Sequence, residues 1–317
     1  MKKSRKKEKI ATWSASELHN EYLKSKFSHK SETDFWRGSD FGRCLRMRIY
    51  TRKRVPKTEE LTLQQMRKLE QGNIIHWYWQ RRFEDLGILV AKEMELKDEK
   101  LNYSGHLDAI VNIGKIKHID LSDRPDNWFT DFLREFKKKY ENLDDHLLLY
   151  DIKSQHSLTF TYLQERGKAQ DHHIMQVASY LVFARREFPS LSEGRILYSS
   201  KDDGRVFEYP VILTKELEEK VFKELELLNF HWKKGTLPER LPSVDYSENS
   251  PKINWECKFC PYSSYCKGAS WLDKAKKEIK EFLKTGTKSP EIKKKIESIE
   301  TKKEALVPAG QIDFSKI

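Results

Sequence analysis

Apolar positions change period along the chain, and the changes predict where helices give way to strands. A helix is expected from Ala15 to about Lys26, opened by Ser14 or Ser16 as its cap. The stretch "SDFGRCLRMRIY" (39–50) predicts a short helix carrying Cys44, with Ser39 or Asp40 as N-cap. Residues 57–87 then read as one long helix that stops at Gly87, with His76 in its second half. In the middle the pattern shortens. "GILVAKEMEL", "YSGHLDAIVNIG" and "HLLLYDIKS" are apolar or alternating runs bounded by Gly, Asn and Asp, as strands are. Between the last two, residues 125–145 form an amphipathic insertion expected to be helical.

A helix is expected over 168–188, with Ile174, Val177, Leu181 and Ala184 along one face. "GRILYSSKD" and "VFEYPVIL" predict a strand pair joined through the turn Asp202-Asp203-Gly204, and a helix over about 215–235 follows. Beyond the cysteines, Trp271, Ala275, Ile279 and Leu283 recur every four residues, and Ser289-Pro290-Glu291 starts a second short helix bearing Ile292, Ile296 and Ile299. No internal repeat is visible.

Composition narrows the class. With 38% hydrophobic residues, 8 Trp, 13 Tyr and 16 Phe in 317 residues, the chain can build a folded core despite a charged fraction of 34%. No apolar run approaches the roughly 20 residues of a membrane span, and "MKKSRKKEKIATWS" lacks the apolar stretch of a secretory signal. A soluble, cytoplasmic protein of a prokaryotic or virus-infected host cell is expected. The net charge of +11 suits a polyanionic partner, although lysine-rich chains without one are common.

Four cysteines in a reducing compartment point to metal binding or chemistry before disulfides. Three sit in "CKFCPYSSYC", spaced C-x2-C-x5-C at Cys257, Cys260 and Cys266, and the fourth is the distant Cys44. Structural zinc sites usually draw their ligands as two close pairs. A one-plus-three arrangement without histidine favours an iron–sulfur cluster, a [4Fe-4S] centre that accepts a remote thiolate, and zinc is the other reading.

The candidate chemistry lies between those cysteines. In "LYDIKS", Asp151 and Lys153 are two apart on a strand and emerge on one face while Ile152 turns to the core. A carboxylate and an amine on one sheet face make a place for a divalent cation such as Mg2+ or Mn2+, a water and a phosphate, and the Ile152 carbonyl offers a further hard oxygen. Asp108, in "SGHLDAIV", is expected to share its face with His106 and Ile110, with Leu107, Ala109 and Val111 opposite. Gln176 and Tyr180 are four apart on one helical face. His76 follows Gly72 by four residues on the long helix, where backbone packs closely and an imidazole ligand is available. Each of these strings alone is commonplace.

Taken in order, Cys44, "GNIIH", "GHLDAIV", "DIKS", "QVASY" and "CKFCPYSSYC" resemble the RecB-like branch of the PD-(D/E)XK nuclease superfamily. More narrowly, they are similar to its iron–sulfur nucleases, which include the CRISPR-adaptation exonucleases and AddB-type nucleases. The resemblance implies a restriction-endonuclease-like α/β core, a central mixed sheet flanked by helices and closed by an iron–sulfur cluster on Cys44, Cys257, Cys260 and Cys266. It implies metal held by His76, Asp108, Asp151 and the Ile152 carbonyl, with Lys153 acting on the attacking water and Gln176 and Tyr180 as an accessory pair. The activity implied is metal-dependent exonucleolytic hydrolysis of single-stranded DNA or DNA ends, leaving 5′-phosphate and 3′-hydroxyl. Recombination, repair, CRISPR adaptation and viral genome processing are all compatible pathways.

Two features depart from the family pattern. The acid of the third motif is Asp151 where Glu is commoner, and the segment between Asp108 and Asp151 is long. Its "REFKKKY" face and Glu93 or Glu95 are weaker candidates, for DNA contact and for a further ligand. The expected organisation is a basic arm and helix over 1–38, a nuclease domain over 39–270 with an insertion at about 115–148, and a lysine-rich helical extension over 271–317. The tail "VPAGQIDFSKI" would suit docking to a replication or recombination protein. A catalytically silent nucleic-acid-binding protein that keeps the fold and cluster is the competing reading.

Overall fold

A computed structural model describes residues 14–28, 34–58, 60–246 and 250–285. The basic arm, the short helix expected from Ser289 and the tail peptide lie outside the described residues. The chain divides into two units, the first spanning 1–55 and 60–238 and the second 56–59 and 239–317.

The first unit contains α1 (Ala15–Ser28), β1 (Trp36–Arg37), α2 (Leu45–Arg52), α3 (Leu63–Asp85), β2 (Leu89–Asp98), β3 (Tyr103–Asn112), α4 (Trp128–Lys139), β4 (Leu147–Gln155), α5 (Ser157–Arg166), α6 (Asp171–Ala184), β5 (Glu193–Ser200), β6 (Val206–Ile212) and α7 (Lys215–Lys234). Local chemistry sets the helix ends. Thr62 and Gln65 form a reciprocal capping box at the start of α3, and Gly87, at φ 67°, turns the chain out after it. Thr214 caps α7, and left-handed Gly235 closes it.

One departure from expectation is in the segment around Cys44. A single helix over 39–50 is replaced by a 3-10 turn at Gly38–Asp40 followed by α2, with Cys44 at the N-cap of α2. Gly42 between them has φ 72°, which interrupts the helix.

The six strands make one mixed sheet in the order β1-β3-β4-β5-β6, with β2 also pairing β3. β2 and β4 run antiparallel to β3, β4 and β5 run parallel, and β5 and β6 are antiparallel. The parallel step from β4 to β5 is the one that needs a long crossover, which α5 and α6 supply.

Helices cover both faces of the sheet. On one, α5, α6 and α7 bury Phe160, Val177, Leu181 and Leu225 against Ile110, Leu149 and Ile196. On the other, Phe83 of α3 and Leu133 of α4 pack on Ala109, Val111, Leu148 and Ile152. The expected insertion helix is therefore α4. Its apolar side joins this second cluster, while Lys137 donates to the Ile119 carbonyl at 2.9 Å and Arg134 pairs with Asp126 and Asp131 at 2.7 Å.

The second unit holds the short pair β7 (Val244–Asp245) and β8 (Lys252–Ile253), then α8 (Trp255–Lys258), α9 (Ser263–Lys267) and α10 (Trp271–Thr285). Val244, Cys257, Trp271 and Ala275 form its core, with Ile279 packed against it. The period of four along α10 thus identifies a buried stripe, except at its last member: Leu283 is exposed. No described helix is long and apolar enough to cross a membrane.

Candidate active site

The site forms where two strands part. Ladder pairing between β3 and β4 begins at Asn112 opposite Leu147 and ends at Ala109 opposite Tyr150. Asp108 and Asp151 occupy the next facing positions. Having left the ladder, the Ile152 N–H donates instead to Asp108 Oδ2 at 2.6 Å.

Both carboxylates are buried, Asp151 completely. Burying two acids side by side is costly without compensation. His76, on α3, places Nδ1 3.3 Å from Asp108 Oδ1. Lys153 Nζ lies 2.9 Å from each oxygen of Asp151, but it donates in hydrogen-bond geometry to Oδ1 alone. Gln176 on α6 donates through Nε2 to that same Oδ1 and to the Tyr180 hydroxyl, each at 3.0 Å. Asp151 Oδ2 is left buried with no hydrogen-bond donor aligned on it.

Two close approaches allow this arrangement. A Cβ built on Gly72 would stand 3.2 Å from Ser154 Oγ, so α3 can run against the end of β4 and bring His76 to the fork. A Cβ on Gly105 would stand 2.7 Å from the Tyr103 hydroxyl and 2.9 Å from Tyr180 Cε1. The bare backbone of Gly105 therefore makes room for the ring that holds Gln176.

Electrostatics follow the geometry. Burial pushes Asp151 up to about 6, against the opposing pull of Lys153, and the neighbouring Asp108 charge adds to the rise. Burial acts the same way on Asp108, but the His76 hydrogen bond and charge outweigh it and hold that carboxyl low. His76 is the reciprocal case: burial opposes its protonation, and the Asp108 contact more than reverses this, raising it. The two acids are thus held in different protonation environments within one site.

Sequence reasoning grouped His76, Asp108, Asp151, Lys153, Gln176 and Tyr180, and the structure brings these six into one connected network. It separates others. His106, expected on the face of Asp108, is exposed. Leu107, expected opposite Ile110, packs in the same cluster as Ile110, while Ala109 and Val111 lie in the other. The reason is local: opposite Asp108, Glu93 of β2 has φ 48°, and the ladder there lacks a Glu93–Asp108 pair, so simple alternation fails. Gln80, which no sequence signal singled out, fills this gap by donating Nε2 to the Asp108 carbonyl at 3.0 Å and to Glu93 Oε1.

Among the described residues no group of three His, Cys, Asp or Glu side chains stands in a metal-holding arrangement. At the fork, the donor set still suits a hard divalent cation: two carboxylates, an imidazole, and a buried carboxylate oxygen that no hydrogen bond satisfies. For the cysteines, the described residues show no gathered metal-holding group. Cys257 lies on α8, Cys260 in the turn after it and Cys266 on α9, and they form no such group. Thiols have no attraction for one another that would assemble a ligand set; metal binding supplies that free energy. None of the four is in a disulfide, and the Tyr262 N–H points at Cys260 Sγ at 3.4 Å.

No protein-family model matches the chain, and no curated protein matches it in sequence. Solved structures are similar to it at low identity. The crystal structure of SSO0001 is 20% identical, covering 80% of this chain and 96% of that one at a TM-score of 0.45. An alkaline exonuclease from Laribacter hongkongensis, LHK-Exo, is 11% identical over 68% of this chain and 93% of its own, at a TM-score of 0.40. The same exonuclease in complex with dAMP is 13% identical over 60% and 78%, at 0.39. Likenesses this distant carry no functional argument.

Proposed function

We propose that this protein is a metal-dependent DNA exonuclease of the RecB-like PD-(D/E)XK type, acting on single strands or DNA ends to leave 5′-phosphate and 3′-hydroxyl. One observation carries the reading. Where β3 and β4 part, two buried carboxylates meet beside Lys153, and one of their oxygens, Asp151 Oδ2, has the Lys153 charge beside it but no hydrogen bond aligned on it. A purely structural acid in such a place would be expected to have its oxygens satisfied.

His76, Asp108, Asp151 and the Ile152 carbonyl would hold Mg2+ or Mn2+. When bound, the cation lowers the pKa of water and neutralises charge on the phosphoryl oxygens. Lys153 presents an ammonium beside Asp151, where it steadies negative charge on the phosphate and orients the attacking water. Gln176, anchored at Tyr180, fixes the direction of Asp151 Oδ1, and the Ile152 N–H does the same for Asp108 Oδ2. Protein purified with Mn2+ should degrade linear DNA, and Asp151→Ala or Lys153→Ala should abolish this. Binding without hydrolysis across Mg2+ and Mn2+ would establish the catalytically silent alternative instead.

The cysteines belong to a finer part of the same proposal. Cys44, Cys257, Cys260 and Cys266 would ligate a [4Fe-4S] cluster, supported by the C-x2-C-x5-C spacing with one remote cysteine and by the N–H aimed at Cys260. Anaerobically purified protein should be brown, absorb near ~400 nm as thiolate-ligated iron–sulfur centres do, and lose iron on Cys260→Ser. Colourless protein containing zinc would reverse the assignment.

A further inference from the structure

We infer that Gln80 is a positioning residue that sets the divalent-metal affinity of the site by fixing the backbone of Asp108; the inference rests on the proposed metal site. Gln80 lies one turn beyond His76 on α3, so the two side chains share a helix face. They reach the same aspartate from opposite ends: His76 touches its carboxylate, and Gln80 holds its carbonyl.

The need for such a hold comes from the sheet. Asp108 stands at the end of its ladder with β4, and on the other edge the Glu93 backbone turns away at φ 48°. Asp108 itself has no register partner in either ladder, and Gln80 adds a bond to its carbonyl at the point where its side chain must be aimed. Gln80 is buried and has two amide hydrogens, one for the Asp108 carbonyl and one for Glu93 Oε1. Both partners are acceptors, so the nitrogen end of the amide must face them. Gln80 thereby joins β2, β3 and α3 at one residue. Groups that orient a metal ligand from behind typically govern affinity or activity by about 10–100-fold.

The test is Mn2+ binding by calorimetry on the full chain, with unfolding followed in parallel without added metal. Gln80→Met keeps length and volume but loses both hydrogen bonds. Its Mn2+ Kd should rise about 10-fold or more, beyond any shared change in folding. Glu93→Gln keeps an acceptor for Gln80 and should leave the Kd within about twofold. Should Gln80→Met fail to fold, Glu93→Ala reports on the same network and should raise the Kd by about two- to fivefold, less than the roughly 10–100-fold of a lost ligand-orienting group because the Gln80 bond to the Asp108 carbonyl survives.

An unchanged Kd in folded Gln80→Met, or in Glu93→Ala where that variant stands in, overturns the inference and leaves the metal site standing. A Glu93→Gln loss as large as that of Gln80→Met also overturns it, because Glu93 would then be a ligand in its own right. Wild-type protein that binds no Mn2+ overturns both this inference and the metal-site reading beneath it.

Discussion

Gly105→Ala is the substitution through which packing and chemistry are most directly linked. The added methyl would stand 2.7 Å from the Tyr103 hydroxyl, 2.9 Å from Tyr180 Cε1 and 3.3 Å from Tyr103 Cζ. Neither ring can easily yield. Tyr103 is fully buried, with its ring 3.8 Å from Phe183 in a stacked pair, and Tyr180 is 2% exposed. Overpacking of this kind costs about 1–3 kcal/mol, which for a unit of this size lowers Tm by about 2–4 °C per kcal/mol.

Displacement of Tyr180 also moves the hydroxyl that anchors Gln176, and through it Asp151 Oδ1. DNA hydrolysis at fixed Mn2+ should fall alongside Tm. Tyr103→Phe removes the atom nearest the new methyl, so the double variant should recover part of the loss, with a coupling of about 0.5–1.5 kcal/mol in a double-mutant cycle. Thermal unfolding by circular dichroism and an end-labelled nuclease assay give the two readouts. A Gly105→Ala protein with wild-type Tm and full activity would refute the reasoning.

Three further outcomes are expected. Asp151→Asn preserves volume and an oxygen for Gln176, so the protein should fold while hydrolysis falls by about 10²–10³ or more; a folded Asp151→Asn protein with near-normal rates contradicts the assignment. Glu224 pairs with fully buried Arg48 and accepts from the Gly42 N–H at 3.1 Å. Glu224→Ala strands the guanidinium, and chemical denaturation should register a loss of about 3–5 kcal/mol. Burial, then the charge of Lys153, holds His173 down at about 2. Its stabilising contribution is therefore complete above about pH 6.5, where the unfolded imidazole is also neutral, and is lost as pH falls from there by up to about 1.4 kcal/mol per unit. Tm should drop between pH 7 and pH 5, and His173→Gln should flatten that slope; an unchanged slope in the variant rules this cause out.

Much of this was legible in local sequence. The Thr62–Gln65 box and Gly87 mark the ends of α3, and the D-x-K alternation correctly separates Asp151 and Lys153 from Ile152. What escaped has specific causes. α5 keeps no clean apolar period: Phe160 and Leu163 are buried while Leu158 is 77% exposed, and its N-cap is a histidine, His156. β1 is only two residues long and exists through its pairing with Tyr103 and Ser104.

The face of Asp108 depends on Glu93 leaving extended geometry, and the role of Gln80 depends on that gap in turn. Neither is a local property of the sequence. The cysteines illustrate the same limit from the other side. Spacing proposes a ligand set, but spacing alone does not gather thiols.

The most direct test of the account is hydrolysis of end-labelled linear DNA and closed circular DNA by purified protein with Mn2+. The account predicts metal-dependent release of nucleotides from the linear substrate, sparing of the circle, and loss of activity in both Asp151→Ala and Lys153→Ala. Linear DNA left intact with both Mg2+ and Mn2+, or hydrolysis that survives both substitutions, would contradict it.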